Sequence, residues 1–244
     1  MLAGMTKGSG RRGAVFFDLD DTLYDQLEPF RAALEVFGGG IGGLDPEALY
    51  RRFRHHSDAL WEPYRAGRLP LERMRVERIR RALADCGFGA DEGDCRRFQE
   101  AYQAGQYRIR LLPGAEECLA ELEEAGCLLG VVTNGPGPHQ ARKLEALGIG
   151  RIIPRERWFI SGEIGMAKPD SALFAHVNRT TGTRPESSVL VGDSPVNDVG
   201  GAAGAGWRAV WFRSRTGAAP PAPSADLTAD GFAGLARRIL GLLG

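Results

Sequence analysis

Asp18 and Asp20 follow an apolar run, and their type and spacing are those of residues that bind a divalent cation. The run, residues 14–17 (Ala-Val-Phe-Phe), has the continuous apolar character of a strand buried in a parallel sheet. The two carboxylates would share one side of the chain if the extended conformation continued. Buried like charges this close repel each other. Because a divalent cation removes that repulsion, and hard oxygen ligands suit Mg²⁺, the pair predicts a magnesium site.

An isolated Asp-x-Asp is also typical of a polar turn that closes a strand, since turns favour aspartate. Further polar clusters separate the two interpretations, because they too follow apolar runs or lie in the loops beyond them. Besides Asp21 and Thr22, which are expected to orient the first loop, they are Thr133 and Asn134; Lys168; and Asp193, Ser194, Asn197 and Asp198. If the runs are strands of one parallel sheet, their carboxyl ends converge on one crevice, where such sheets bind ligands.

Five apolar runs predict the strands that would carry these clusters: residues 14–17, 128–133, 158–160, 189–192 and 208–212. They alternate with helical patterns at residues 115–125, 140–147, 171–180, 197–205 and 231–243. Strands that alternate with helices are typical of an α/β fold, in which helices cover both faces of a parallel sheet.

The residues between the first two strands show helical patterns only. The first helix, residues 29–37, ends at three glycines, and Asp45 with Pro46 begins the next one as N-cap and first-turn proline. Further helices are predicted at residues 71–83 and 91–105. We therefore expect an inserted helical domain that covers the carboxyl-terminal edge of the sheet as a cap. The predicted division is a disordered lead-in (1–12), a core (13–27 and 112–244) and a helical cap (28–111).

Composition excludes several classes of function. The 244 residues include 31 Lys and Arg against 31 Asp and Glu, so no net positive charge attracts nucleic acid. No apolar run approaches the roughly 18 residues that span a bilayer, and residues 1–12 lack the apolar segment of a signal peptide. The four cysteines are scattered without a C-x-x-C pair, which is typical of reduced thiols in a cytoplasmic protein.

The polar clusters, taken in this order, resemble the haloacid dehalogenase-like hydrolase superfamily. The match runs through Asp-Leu-Asp-Asp-Thr (18–22), Thr-Asn-Gly (133–135), Lys168-Pro169 and Gly-Asp-Ser-x-x-Asn-Asp (192–198), and it covers nearly the whole chain from Val15 to Phe212. The resemblance implies a Rossmann-like parallel sheet core with an inserted all-helical cap of the first class. Small-molecule phosphatases and nucleotidases of the family look most similar.

The resemblance also implies a role for each motif. Asp18 would be the nucleophile that forms an aspartyl-phosphate. Asp20 would protonate the leaving alkoxide, deprotonate the attacking water, and bind Mg²⁺ through its main-chain carbonyl. The phosphate would be held by Thr133, the Asn134 amide and Lys168. Mg²⁺ would be held by Asp18, Asp20 and Asp193, with Asp198 either a ligand, a partner of a ligand, or a residue that stabilises a helix N-terminus.

Other functions within this fold stay open. Dehalogenases of the family lack the second aspartate, so Asp20 argues against that activity. A phosphomutase needs further phosphate-handling residues in the cap, which are not identifiable, and a silent binding module would lack the first aspartate or the lysine. The expected partner is a small phosphorylated metabolite, not nucleic acid or a membrane, and its identity (nucleotide, sugar phosphate or acylated amino-sugar phosphate) is open. Candidate contacts in the cap are Trp61, Tyr64, Arg65 and Arg68.

Overall fold

The computed structural model describes residues 12–213 and 224–244, which form two compact units. The core unit runs up to Asp25 and resumes with Arg110–Gly244, and the helical unit comprises Gln26–Ile109. The predicted lead-in, residues 1–12, lies outside the described residues except for Arg12.

The helices and strands follow one another as an alternating series interrupted by a purely helical segment. In chain order they are β1 (Gly13–Phe17), α1 (Leu27–Ala33), α2 (Pro46–Arg65), α3 (Leu71–Ala84), α4 (Glu92–Gly105), α5 (Ala115–Glu124), β2 (Cys127–Thr133), α6 (Gly137–Ala146), β3 (Trp158–Ile160), α7 (Ser161–Ile164), α8 (Ser171–Thr181), β4 (Ser188–Gly192), α9 (Gly201–Gly204), β5 (Arg208–Phe212), β6 (Leu227–Ala229) and α10 (Leu235–Leu242).

The core unit contains a parallel six-stranded sheet with the order β3-β2-β1-β4-β5-β6. β1 lies between β2 and β4, and Ala14 is aligned with Leu128 on one side and Ser188 on the other. Every residue of these three strands is buried, which explains why they appear in the sequence as continuous runs of mostly apolar residues. The predicted α/β class with a Rossmann-like parallel sheet is therefore confirmed.

The sixth strand, β6, was not predicted. It has only three residues, Leu-Thr-Ala, and is aligned with β5 from Val210 opposite Leu227. Asp226 fixes this pairing, because its carboxylate accepts hydrogen bonds from the Ala209 N–H at 2.8 Å and from Arg208 Nη1 at 2.9 Å. Such a short strand depends on these non-local bonds and leaves no apolar run in the sequence.

Two predicted helices have a different form. The helix expected over residues 197–205 is a π-helical turn, Pro195–Gly200, followed by the short α9. The turn is wide because the Ser194 carbonyl accepts from both the Asp198 and Val199 N–H groups, at 3.0 and 3.1 Å. The helix expected over residues 29–37 is regular only to Ala33 and continues as 3₁₀ turns over Leu34–Ile41.

The helical unit has its own aromatic core. Phe30 lies at its centre, with ring centroids 5.1 Å from Phe53 and 5.3 Å from Phe98, and Tyr102 lies 5.5 Å from Phe53. The predicted N-cap residue of α2, Asp45, is confirmed, since its carboxylate accepts hydrogen bonds from two N–H groups of the first turn at 3.1 Å. None of the helices described in either unit is long and apolar enough to cross a membrane.

All four cysteines of the chain are described, and all are free thiols. Three of them are buried, and Cys86 is partly exposed. Burial, with a smaller contribution from Glu121, raises the pKa of the Cys118 thiol to about 12, and burial raises that of Cys95 to about 11. These two thiols are therefore protonated at neutral pH and pack as small apolar groups.

Candidate active site

Three adjacent strands, β2, β1 and β4, carry the predicted polar residues at their carboxyl ends. β1 ends at Phe17 and leads directly into Asp18, whose N–H donates to the Val191 carbonyl of β4 at 2.8 Å. Thr133 is the last residue of β2, and Asp193 follows the last residue of β4. The order of the strands therefore brings together residues that are more than one hundred positions apart in the sequence.

Lys168 links two of the predicted carboxylates. Its Nζ lies 2.6 Å from Asp18 Oδ1, 2.6 Å from Asp198 Oδ1 and 2.8 Å from the Val132 carbonyl. The lysine is 3% exposed, so it is not a solvated surface side chain. Burial disfavours its ammonium group, but the two carboxylates outweigh burial and hold the pKa of Lys168 above its usual range.

Asp193 completes a cluster of three carboxylates with Asp18 and Asp198. One carboxylate oxygen from each residue lies within 4.8 Å of the others. Burial raises the pKa of Asp18 to about 7, since the lowering effect of Lys168 is offset by repulsion from Asp198 and Asp20. These hard oxygen donors fit a divalent cation such as Mg²⁺.

Asp198 reaches this cluster because Gly192 has no side chain. A Cβ at residue 192 would lie 2.3 Å from the Asp198 carboxylate carbon, so no other amino acid fits there without displacing the aspartate. The second oxygen of Asp198 accepts from the Ser194 N–H at 2.9 Å. Asp198 therefore orients both Lys168 and the loop that carries Asp193, in addition to its position in the carboxylate cluster.

Asn134 fixes the main chain of Lys168. Its side-chain Nδ2 donates to the Lys168 carbonyl at 2.9 Å, and its Oδ1 accepts from the Lys168 N–H at 2.9 Å. Both polar atoms of the Asn134 side chain are therefore bound to the loop of the lysine. Thr133 is fully buried, and its hydroxyl oxygen accepts from Gln140 Nε2 at 2.7 Å.

The Asp20 carboxylate does not belong to the carboxylate cluster found among the described residues. The chain turns, with the Leu23 N–H donating to the Leu19 carbonyl at 3.0 Å and Asp21 at a positive φ of 60°. The strand itself ends at Phe17, so both aspartates lie beyond it. A magnesium role for Asp20 would depend on its main-chain carbonyl, as the resemblance implies.

Three donors bind the side chain of Asp20. Lys143 Nζ and the Tyr24 hydroxyl lie 2.6 and 2.5 Å from Oδ1, and Gln140 Nε2 donates to Oδ2 at 2.9 Å. Burial alone would raise the pKa of Asp20, but the Lys143 ammonium and these hydrogen bonds hold it far below its usual range. Asp20 is therefore a carboxylate in this arrangement.

Sequence reasoning missed Tyr24, Gln140 and Lys143. The sequence did contain a signal for Gln140 and Lys143. They lie three residues apart on one helix face, which they share with the buried Leu144 and Leu147. A lysine at a core-facing helix position requires an acidic partner. The sequence does not show which aspartate that is.

The candidate contacts of the helical unit lie at the end of α2 and just beyond it. The Trp61 and Tyr64 rings are 5.2 Å apart and both are partly exposed. Arg65 and Arg68 are exposed, and Arg68 forms an ion pair with Glu62. Their contact with substrate stays a prediction.

The chain belongs to the haloacid dehalogenase-like hydrolase family, whose sequence pattern matches residues 13–206. It is 36% identical over 236 residues to the phosphoserine phosphatase of Thermus thermophilus, and the alignment covers 87% of this chain and 93% of that protein. It is 30% identical over 207 residues to the glyceraldehyde 3-phosphate phosphatase of Methanothermobacter thermautotrophicus, with 82% and 85% covered. The predicted family and its phosphatase branch are confirmed, and the chain is an enzyme of that branch.

The fold also resembles that of a dehalogenase. The L-2-haloacid dehalogenase of Xanthobacter autotrophicus superposes with a TM-score of 0.71 at 20% identity, over 94% of this chain and 98% of that one. At this identity the likeness establishes the fold alone.

Proposed function

We propose that the protein hydrolyses a small phosphomonoester in two steps through an aspartyl-phosphate on Asp18, with Mg²⁺ as cofactor. The observation that carries this proposal is the buried cluster in which Lys168 contacts Asp18 and Asp198 while Asp193 lies within reach of both. The two phosphatase relatives, which act on phosphoserine and glyceraldehyde 3-phosphate by their names, support a small phosphorylated metabolite as substrate.

Asp18 attacks the phosphorus atom in the first step. A bond forms between a carboxylate oxygen and phosphorus while the bond to the ester oxygen breaks, and the electron pair leaves with that oxygen. Lys168 holds Asp18 Oδ1 at 2.6 Å, which fixes the orientation of the carboxylate and reduces its repulsion from the phosphate dianion. Water then displaces Asp18 from phosphorus and regenerates the free carboxylate.

Mg²⁺ would be held by Asp18, Asp193, Asp198 and the main-chain carbonyl of Asp20. When bound, it supplies positive charge that offsets the repulsion between the nucleophile and the phosphate oxygens. The gathering of three carboxylates at one place supports this assignment, because hard oxygen donors suit Mg²⁺.

Asp20 would move the proton in both steps. In its protonated form it gives the proton to the leaving alkoxide, and as a carboxylate it takes a proton from the attacking water. The carboxylate form, which Lys143, Gln140 and Tyr24 stabilise, is the form required in the second step. The first step requires Asp20 to take up a proton against the effect of these donors on its pKa. An acid at this position is not needed for the departure of halide, so the second aspartate favours phosphate chemistry over dehalogenation.

Thr133, the main-chain amide of Asn134 and Lys168 would bind the phosphate oxygens. The helix that follows, α6, begins at Gly137, and its first-turn N–H groups favour anions. We also propose that residues 28–111 act as a cap that limits the substrates to small molecules, and that the reaction takes place in the cytoplasm. The zero formal charge of the chain supports substrates other than nucleic acid.

Hydrolysis of p-nitrophenyl phosphate tests the proposal. Activity should be lost in EDTA and restored by Mg²⁺, whereas Asp193→Asn should require a much higher Mg²⁺ concentration than the unmodified protein. Asp170→Asn, which changes an aspartate that caps α8, is the matched control and should respond to Mg²⁺ as the unmodified protein does. Full activity in EDTA would overturn the magnesium assignment.

A second measurement tests the substrate class. A panel of phosphorylated metabolites and one folded phosphoprotein are compared by kcat/KM, with phosphate release as readout. We expect efficient hydrolysis of at least one metabolite and very little of the phosphoprotein. Equal efficiency on the phosphoprotein would contradict the proposed cap function.

A further inference from the structure

Two side chains of one helix, Gln140 and Lys143 of α6, bind both oxygens of Asp20. Gln140 is 1% exposed and Lys143 is 2% exposed, and each is more than one hundred residues away from Asp20 in sequence. Burying an ammonium group costs several kcal/mol unless its partner is close and well oriented. The 2.6 Å separation of Lys143 and Asp20 satisfies that condition.

Gln140 connects Asp20 with the residues proposed to bind phosphate. Its Nε2 lies 2.9 Å from Asp20 Oδ2, 2.7 Å from the Thr133 hydroxyl and 3.2 Å from the Asn134 carbonyl. A Cβ at Gly135 would lie 2.8 Å from the Gln140 side chain, so the loop passes very close to this amide. The position of Asp20 relative to the end of β2 is thus set by one side chain.

We infer that Lys143 and Gln140 are positioning residues that hold the Asp20 carboxylate where it exchanges a proton with the ester oxygen and with water. This inference rests on the proposed function, since it concerns the proton transfer assigned to Asp20. Proton transfer requires the two heavy atoms to be within hydrogen-bond reach, about 2.6–3.2 Å. Lys143 also lowers the pKa of Asp20, so its removal favours the protonated form. We expect the loss of orientation to outweigh that gain, because the side chain loses its strongest partner and samples other rotamers, and the reactive geometry is populated less.

The test uses two substrates that differ in the basicity of the leaving group. Phenyl phosphate and p-nitrophenyl phosphate share the same ring, but p-nitrophenolate leaves readily without a proton and phenolate much less so. In Lys143→Met, which keeps the length of the side chain and removes its charge, kcat/KM should fall for both esters. The loss should be about tenfold or more greater for phenyl phosphate, since proton transfer contributes roughly 10²–10⁴-fold.

Two variants accompany this measurement. Arg142→Met makes a similar change on an exposed residue of the same helix and should leave the ratio of the two kcat/KM values unchanged. Lys143→Arg retains the positive charge and should recover part of the loss on phenyl phosphate. If Lys143 had a purely structural role, its substitution would lower kcat/KM by the same factor for both esters, because the fraction of folded enzyme does not depend on the leaving group.

Equal losses on both esters, no loss, or a gain in activity would overturn the inference. If Lys143→Met does not fold, Gln140→Met and Tyr24→Phe are measured in its place, and each should lower phenyl phosphate hydrolysis selectively. Failure of the proposed function is distinguishable, because the unmodified protein with Mg²⁺ would then hydrolyse neither ester. In that case the inference falls with the function and not through the variants.

Discussion

Lys168 and Lys143 are both buried and both lie 2.6 Å from an aspartate, yet the two sites differ in charge balance. Lys168 faces two carboxylates directly and a third nearby, and the pKa of Asp18 is raised by burial and like-charge repulsion to about 7. Lys143 faces one carboxylate, which also accepts from a phenol and an amide, and the pKa of Asp20 is lowered.

The difference shows that burial does not by itself decide the protonation of an aspartate. The number of cations and hydrogen-bond donors for each carboxylate decides it. The Asp18 site brings three carboxylates together, and their oxygens are donors suited to a divalent cation. At the Asp20 site, three protein donors bind one carboxylate and hold it in one orientation.

The largest change should follow from Asp18→Asn. The substitution keeps the shape of the side chain but removes the negative charge that makes it a nucleophile, so turnover should fall by about 10⁴-fold or more. Steady-state hydrolysis of p-nitrophenyl phosphate measures this, with Asp230→Asn, an exposed aspartate paired with Arg213, as the control. Near-native turnover of Asp18→Asn would mean that another residue attacks phosphorus.

The two lysines should differ in their effect on stability. Lys168→Met leaves Asp18 and Asp198 without their shared cation, and we expect the free energy of unfolding to fall by about 3–5 kcal/mol in EDTA at pH 8. Lys143→Met should cost less, about 1–3 kcal/mol, because Tyr24 and Gln140 still donate to Asp20. Urea unfolding measures the free energy of unfolding of both variants. Mg²⁺ should reduce the difference between them. The reverse order would contradict the charge balance described above.

Stabilisation by Mg²⁺ should depend on pH. The pKa of Asp18 in the folded, metal-free protein is about 7, above its ordinary value of 3.8, so the folded state holds a proton more tightly than the unfolded state does. The contribution of Asp18 to the stability of the metal-free protein therefore falls as the pH rises from 3.8 to about 7. Mg²⁺ must displace the proton from Asp18, so its binding strengthens over the same pH range. The Mg²⁺-induced rise in Tm should be larger at pH 8 than at pH 5. An equal rise at both values would contradict the raised pKa.

The smallest effect should come from Tyr24→Phe. The substitution removes one donor to Asp20 from a fully buried ring and should lower the free energy of unfolding by about 1–2 kcal/mol. The partly exposed Tyr64→Phe serves as control and should change stability by less than about 0.5 kcal/mol. If both variants unfold at the same urea concentration, the Tyr24 hydroxyl does not contribute to the Asp20 site.

The Asp18 cluster was predictable because each member follows a recognisable apolar strand or belongs to a motif of known order. β1, β2 and β4 are buried on every residue, and such strands leave a clear signal in the sequence. The mutual distances of Asp18, Lys168 and Asp198 then depend on strand order, which is limited by the rules for parallel sheets.

The Asp20 site was not predictable in the same way. Lys143 is 123 residues away from Asp20, and their contact depends on the rotation of α6 about its own axis and on the turn after Asp18. Neither is set by local pattern alone. The short β6 and the π-helical turn at Pro195–Gly200 were missed for a related reason, because both depend on specific hydrogen bonds and not on hydrophobic periodicity.

The hydrogen bond from the Leu112 N–H to the Leu23 carbonyl, 2.8 Å long, has a consequence for how the chain tolerates change. It joins the points at which the chain leaves the core unit before Gln26–Ile109 and returns to it afterwards. With its two ends already fixed side by side, an insertion costs little closure entropy, and doubling its length adds only about 0.6 kcal/mol. We therefore expect the core unit to keep its aspartates and lysines in place when the length of the segment between Leu23 and Leu112 is changed.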